Sequence, residues 1–269
     1  MLLTRLLTIA VALPLFAAAL LLLPQDLWAL FLLPGLIIAS WEWGGLAGYG
    51  RVLRAGFSVF VPVSAAALLY GVPTLSHSSS LIDMCVYAAS CVFWLAVAPL
   101  WLAKRWANRN PIVLGVAGWL ALVPMWLALA RLQTTPWLLL LILSVVWIAD
   151  SAAYVAGKRW GRNKLAPVIS PGKTWEGVLG AAAAVTVYYA VLIFTIAPDE
   201  QYFSGWAGLA IFVLIVGLSI EGDLFESWMK RQRGLKDSGH LLPGHGGLLD
   251  RVDGLTASLP AAALAFYLH

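Results

Sequence analysis

Long runs of apolar residues recur along almost the whole chain and constrain its fold more than any other feature. Nine runs stand out, at 5–23, 27–46, 53–71, 81–103, 111–130, 137–157, 176–197, 205–229 and 252–268. Each is close to the roughly 20 apolar residues that a helix needs to cross the hydrocarbon core of a bilayer. They lack the period-two alternation of membrane barrel strands. The sequence therefore predicts an all-α, polytopic integral membrane protein of about nine transmembrane helices.

The first run has two interpretations. Arg5 precedes it and Phe16–Ala19 supplies small residues, as in a secretory signal peptide. Its apolar core is long and further spans follow at once, which favours a retained first helix. The two cysteines, Cys85 and Cys91, lie inside a predicted span without metal-type spacing, so core packing is the expected role.

The basic residues predict the orientation of the chain in the membrane. With nine spans, sixteen of the seventeen Lys and Arg residues lie on one side, and Arg131 alone lies on the other. The positive-inside rule then places the N-terminus in the cytoplasm and the C-terminus outside. In a bacterial cell this is the inner membrane. The pI is near 9.2, and the basic residues behind it are collected on one face of the membrane. Such a face suits contact with anionic lipid headgroups or phosphates, and it does not indicate nucleic-acid binding.

Two cytoplasmic loops divide the chain by expected role. We predict that helices in 1–135 form a scaffold, with possible dimer or lipid contacts, and that 136–269 is catalytic and carries loops 158–174 and 230–250. Charge is concentrated near the second loop, because the window 221–253 holds eleven of the thirty charged residues. The first loop is bounded by Asp150, expected at the end of helix six, and Glu176, at the start of helix seven.

Acidic residues around the second loop suggest a cation site. On the eighth predicted helix, about 100° per residue places Asp223 and Glu226 on one stripe with Ser219, Ser227 and Lys230, while Glu221 points elsewhere. Asp250 and Asp253 open the ninth helix three residues apart, which allows one shared face. An alternative is that Asp223 or Glu226 simply pairs with Lys230. Four converging acids would repel one another without a cation, and hard oxygen ligands that share a metal with substrate phosphates favour Mg²⁺.

Basic residues and glycines near these acids suit phosphate groups. The bases of the second loop are Lys230, Arg231, Lys236 and Arg251. Its glycine-rich turn, PGHGG at 243–247, can form an anion nest or merely return the chain tightly between two helices. His245 is compatible with phosphate binding, with proton donation or with an ordinary polar role.

The first loop contains SPGKT, which looks like the end of a P-loop. Pro167 stands where the motif G-x-x-x-x-G-K-S/T needs its first glycine, so this is not one. Lys173, Lys164 and Arg159 can still reach phosphates, or can simply follow the orientation rule. Acids for a metal, bases for phosphate and a glycine-rich turn together favour phosphoryl or nucleotidyl transfer.

The stretch SWMKRQRGLKDSGHLLPGHGGLLDRVD, from Ser227 to Asp253, resembles the signature of the phosphatidate cytidylyltransferases, also called CDP-diacylglycerol synthases. The blocks at 150–177 and 221–227 are similar to the other conserved blocks of that family. One departure is Gly172, where a second basic residue before Lys173 is expected. The resemblance covers roughly 140–269 by motif, and the N-terminal half only as a set of hydrophobic helices.

The resemblance implies that CTP and phosphatidate form CDP-diacylglycerol and pyrophosphate, by in-line attack of the lipid phosphate on the α-phosphorus. It implies Mg²⁺ and leaves open a second, monovalent cation such as K⁺, membrane lipids as neighbours, and a homodimer. The metal-ligand candidates are Asp223, Asp250, Asp253 and Glu226. The catalytic candidates are Asp223, Asp250, Lys230, Arg231, Lys236 and His245. The substrate-binding candidates are Lys173, Arg159, Lys164, Arg251, Gly246, Gly247 and Ser227.

Other functions compete with this interpretation. A CTP-dependent polyprenol kinase would transfer the γ-phosphate to an alcohol. A membrane CDP-alcohol phosphotransferase is disfavoured because no D-G-x-x-A-R motif is present. An ion-coupled transporter would carry its acids near helix centres, and Glu42 and Asp83 fit that pattern, although polar contacts between helices are the default expectation for both.

Overall fold

The computed structural model describes residues 14–71, 78–195, 205–239 and 246–267, and those residues are almost entirely helical. The helix α1 is described from 14 to 22. The remaining helices are α2 Gln25–Ala47, α3 Arg51–Tyr70, α4 Ser78–Val92, α5 Ala98–Lys104, α6 Pro111–Leu132, α7 Pro136–Trp160, α8 Trp175–Thr195, α9 Gly205–Gln232 and α10 Leu249–Tyr267. A π-helical turn, Phe93–Val97, joins α4 to α5 without a break.

Seven of the described helical segments are long and apolar enough to cross a membrane. They match the second to eighth predicted spans to within a few residues, and the all-α polytopic fold is confirmed. The first predicted span lies partly outside the described residues. The ninth forms α10, which is not one of the seven because it carries three charged residues near its start, Asp250, Arg251 and Asp253. The count of nine and the orientation of the termini stay predictions.

The helix α10 lies at the centre of the bundle and positions the candidate site. All residues from Gly254 to Ala263 are buried, and α10 packs against α9, α4 and α6. Its closest approach to α9 is at two glycines, because a Cβ on Gly222 would collide with the Asp253 carbonyl and one on Gly254 would meet Ser219. This crossing brings the adjacent Asp223 and Asp253 to the same region.

An aromatic cluster fixes α9 against the N-terminal half of the chain. The ring of Phe225 has its centroid 5.5 Å from each of Phe93, Trp94 and Trp101, and 6.4 Å from Trp43. Phe225 is only 1% exposed, and aromatic contacts of this kind add about 0.5–1.5 kcal/mol per pair to the burial of the rings. The next residue, Glu226, is therefore held at a defined rotation of α9.

The loop between α7 and α8 contains a short hairpin that the sequence did not predict. Strands β1 (Lys164–Ala166) and β2 (Ser170–Thr174) pair antiparallel. Contacts outside the strands hold it, since Glu176 at the start of α8 accepts hydrogen bonds from the backbone and the side chain of Asn163. Asp150 was expected at the end of its helix, but α7 continues to Trp160, so Asp150 lies within the helix.

A buried ion pair joins α4 to α6 on the face opposite the predicted basic side. The Asp83 carboxylate lies 2.9 Å from the Arg131 guanidinium, with side-chain exposures of 4% and 14%. Arg131 also donates to the carbonyl of Leu69 on α3. Asp83 thus makes the interhelical polar contact that was the default expectation for it.

The start of α6 offers a test of a local element. The side chain of Asn110 accepts hydrogen bonds from the amides of Ile112 and Val113, which caps the helix. We expect Asn110→Ala to cost about 1 kcal/mol of unfolding free energy, measured by thermal unfolding in detergent. Asn110→Ser retains a capping oxygen and should change little. An equal loss in both variants would contradict the capping role.

Candidate active site

A buried lysine on α9 ties together two acids that were predicted to act at the site. The ammonium group of Lys230 lies 2.6 Å from Glu226 and 2.6 Å from Asp250. The three side chains are 11%, 3% and 10% exposed. Glu226 and Lys230 are one helical turn apart, so the pairing that the sequence offered as an alternative for Glu226 is present. Close hydrogen bonding is what makes charges this deep tolerable.

Asp250 also organises the segment that precedes α10. Its second carboxylate oxygen accepts hydrogen bonds from the backbone amides of Ser238, at 3.0 Å, and Gly247, at 2.8 Å. Ser238 and Gly247 lie on either side of residues 240–245. Asp250 therefore accepts three hydrogen bonds, one from Lys230 and two from backbone, in the first turn of α10, where the helix dipole favours a negative charge.

Asp223 forms a second, more accessible ion pair. Its carboxylate lies 2.7 Å from the ammonium group of Lys173 on β2, and the two side chains are 39% and 22% exposed. The hydroxyl of Ser227 donates to the other oxygen of Asp223. Lys173 also donates to the carbonyl of Ile220, so it docks the hairpin onto α9. This pair is the part of the site that solvent reaches.

Asp253 connects the two ion pairs electrostatically. It interacts with Asp223 and Lys173 on one side and with Lys230 on the other, and it repels Glu226. Asp150 on α7 interacts with Lys173 and Asp223. Among these described side chains, five acids (Asp150, Asp223, Glu226, Asp250 and Asp253) each interact with Lys173 or Lys230. Carboxylates close to one another repel, and a cation beside them relieves that repulsion.

Two arginines of the second loop bind backbone carbonyls. Arg231 donates to Ile169 in the hairpin, and Arg233 donates to Leu46 and Ala47 at the end of α2. They thereby fasten the end of α9 to the hairpin and to the N-terminal half. The remaining predicted bases are exposed: Lys236, Lys164, Arg251 and Arg159, the last lying over the ring of Trp160.

Comparison with known proteins decides the family. The sequence model of the cytidylyltransferase family matches residues 3–269. The chain belongs to this family. A phosphatidate cytidylyltransferase of Pseudomonas aeruginosa is 38% identical over 266 residues, which is 98% of this chain and 96% of that protein. A phosphatidate cytidylyltransferase of Brucella melitensis is 52% identical over 126 residues, which is 46% of this chain and 44% of that protein. The protein of the same name from Thermotoga maritima is 39% identical over 129 residues, 47% and 48% of the two chains.

The signature of this cytidylyltransferase is spread over two connected clusters. Ser227 and Asp223 lie in the accessible pair with Lys173, whereas Lys230 and Asp250 lie in the closed cluster, so Asp223 and Asp250 form separate ion pairs. Gly246 adopts a positive φ of 82°, and a Cβ on Gly247 would collide with the Ser238 hydroxyl. Gly246 is thus favoured by its backbone conformation, and Gly247 by the lack of space for a side chain. His245 lies outside the described residues.

The two clusters differ in how well their side chains could hold Mg²⁺. No three acidic, histidine or cysteine side chains in the described parts of the chain converge into a ready metal cluster. Mg²⁺, however, commonly takes only one or two carboxylates and completes its shell with water and substrate phosphates. Asp223 and Asp253 meet that requirement, because they flank the glycine crossing of α9 and α10. Glu226 and Asp250 are already engaged with Lys230.

Two acids near the site were not among the predicted site residues. Glu42 on α2 is 4% exposed, and its carboxylate accepts hydrogen bonds at the start of α10, an interhelical polar contact as expected by default. Asp150, within α7, interacts electrostatically with Lys173. The available signal was the cost of placing an acid inside a membrane span, which generally marks a partner or a functional position. That signal identifies the residue but not its partner.

Proposed function

We propose that this member of the cytidylyltransferase family is a phosphatidate cytidylyltransferase, which converts CTP and phosphatidate to CDP-diacylglycerol and pyrophosphate. The observation that carries the proposal is the accessible Asp223–Lys173 pair beside the closed Lys230 cluster. It offers oxygen ligands for a cation and an ammonium group for phosphate within one region. Similarity along the whole chain to proteins that carry this name supports the same reaction.

The chemistry is a single displacement at phosphorus. An oxygen of the lipid phosphate forms a bond to the α-phosphorus of CTP, and the bond from that phosphorus to the bridging oxygen of the β-phosphate breaks. Pyrophosphate leaves with the electron pair. The lipid phosphate is largely ionised near neutral pH, so no strong general base is needed. The barrier lies in bringing two anions together, and positioned opposite charges lower it.

The residues of the chain divide this work. Lys173 is partly exposed, and its side chain can rotate about four bonds. When its ammonium group leaves Asp223, it contacts a phosphate oxygen. Asp223 and Asp253 would hold Mg²⁺, which when bound would polarise a phosphoryl oxygen and neutralise charge. Lys230, fixed by Glu226 and Asp250, contributes a constant positive charge beside the reacting groups. The exposed Lys164, Arg159, Lys236 and Arg251 attract the triphosphate from solution.

The location of the reaction follows from the distribution of charge. The site lies at the ends of α9 and α10 that carry the basic loops, so we place it on the cytoplasmic side of the inner membrane. CTP then arrives from the cytoplasm, and phosphatidate reaches the site sideways from the bilayer. A homodimer remains an expectation from the resemblance.

A position-specific radiolabel tests the proposal. Purified protein is given Mg²⁺, CTP labelled at either the α- or the γ-phosphorus, and phosphatidate together with a polyprenol as the alternative acceptor. We expect the α-label in the lipid product and the γ-label in pyrophosphate. A control without phosphatidate should yield neither. Transfer of the γ-label to a lipid alcohol would indicate the kinase instead, and the absence of any labelled lipid would contradict both activities.

A further inference from the structure

A buried carboxylate from the N-terminal half of the chain holds the start of α10. Glu42 lies near the end of α2 and is 4% exposed. Its carboxylate accepts hydrogen bonds from the backbone amides of Leu249, at 2.7 Å, and Leu248, at 3.1 Å. A third comes from the hydroxyl of Ser238, at 3.0 Å. These partners are about 200 residues away in sequence, so the contact is purely tertiary.

Hydrogen-bond donors and one nearby positive charge surround this carboxylate. Three donors point at it, two of them the amides of Leu248 and Leu249 at the N-terminal end of α10, where the helix dipole is positive. The guanidinium of Arg54 also attracts it, while that group is itself held over the ring of Trp41 at 4.3 Å. Removing either the carboxylate or its donors would leave buried polar groups without a hydrogen-bond partner. Such groups carry an unrecovered desolvation penalty.

Glu42 and Asp250 hold the same segment from two sides. Ser238 gives its amide to Asp250 and its hydroxyl to Glu42. On the other side of residues 240–245, Gly247 donates to Asp250, and the next two amides donate to Glu42. Glu42 packs tightly against this segment, because a Cβ on Gly239 or Gly247 would collide with the Glu42 carboxylate.

The hydrogen bonds to Glu42 determine the position of Asp250. Asp250 directly follows Leu249, whose amide is fixed by Glu42, and its carboxylate meets Lys230 at 2.6 Å. If the start of α10 shifts, Asp250 shifts relative to Asp223 and Lys230, which both lie on the neighbouring helix α9. We propose that Glu42 is a positioning residue for cytidylyl transfer, which orients Asp250 and Lys230 without touching either substrate. The inference rests on the proposed function and extends its site into the N-terminal half.

Three substitutions of Glu42 separate positioning from simple stability. Glu42→Gln keeps the size of the side chain, but its amide NH₂ group would face backbone N–H groups that also donate and could not pair with them. Glu42→Asp keeps the charge on a shorter side chain, and Glu42→Ala removes both. We expect kcat to fall about 10- to 100-fold in Glu42→Gln and Glu42→Ala, with a smaller change in KM for CTP. In Glu42→Asp, kcat should recover in part. The matched control is Asp83→Asn, which removes another buried carboxylate from the Arg131 pair and should lower the unfolding midpoint while leaving kcat of the folded protein unchanged.

Hydrogen exchange measured by mass spectrometry supplies a readout that does not depend on activity. Peptides that contain Leu248 and Leu249 should exchange faster in Glu42→Gln and Glu42→Ala than in the wild type or in Asp83→Asn. Should Glu42→Ala fail to fold, Glu42→Gln and Glu42→Asp provide the comparison. Unchanged exchange, or a wild-type kcat in folded Glu42→Gln, would overturn the positioning role. Failure of the wild type to make CDP-diacylglycerol would instead overturn the proposed function.

Discussion

We expect Asp223→Asn to nearly abolish synthesis of CDP-diacylglycerol, with kcat/KM falling by about 10³-fold. Asparagine preserves the size of the side chain and an acceptor for Ser227, but it removes the charge that binds Lys173 and that we assign to Mg²⁺. The pair is 39% and 22% exposed, so its loss should cost less than about 1 kcal/mol of folding stability. The measurement is the initial rate in mixed micelles of detergent and phosphatidate, with thermal unfolding of the same sample.

The control for Asp223→Asn removes a different acid from the membrane helices. Asp26 is exposed in the first turn of α2, at the other end of that helix from Glu42. Asp26→Asn should retain the wild-type rate. Near-normal synthesis by folded Asp223→Asn would remove Asp223 from the active site, whatever the outcome for the other acids.

Lys230→Met has the largest expected effect on stability. The change leaves Glu226 and Asp250 buried without their shared cation, and breaking a buried ion pair on one side typically costs about 3–5 kcal/mol. Activity should be lost as well, because the site loses a fixed positive charge and Asp250 loses its charged partner. The unfolding midpoint in detergent measures the first effect and the radiolabel assay measures the second.

A second substitution tests the physical reason for that loss. Adding Glu226→Gln to Lys230→Met neutralises one of the stranded acids and should recover part of the stability, but none of the activity. Lys236→Met, at an exposed lysine of the same segment, should leave the unfolding midpoint unchanged. If Lys230→Met unfolds at the wild-type temperature, the Lys230 cluster does not support the fold as described.

The helices and the face of α9 could be predicted because they depend on local sequence. Apolar runs determine which segments span the membrane, and helical periodicity places Asp223 and Ser227 on one stripe, where they now form a hydrogen bond. The pairing of Glu226 with Lys230 follows from their spacing of four. These features need no knowledge of the rest of the chain.

The features that were missed depend on distant partners. The hairpin β1–β2 has only three and five residues in its strands, too few to carry a periodic signal, and it is held by Glu176 and Arg231. Glu42 bonds backbone amides, which every residue possesses, so no pattern of side chains marks its partner. That Asp223 and Asp250 form separate ion pairs depends on which lysine each one reaches, and that is decided by packing.

The central claim is that acids of α9 and α10 bind a divalent cation where CTP and phosphatidate meet. Binding of Mn²⁺, followed by electron paramagnetic resonance in the presence of an α,β-methylene analogue of CTP, measures this most directly. We predict that Asp223→Asn and Asp253→Asn each weaken Mn²⁺ binding by at least about tenfold, while Asp26→Asn binds as the wild type does. Equal Mn²⁺ affinity in all four proteins would contradict the claim.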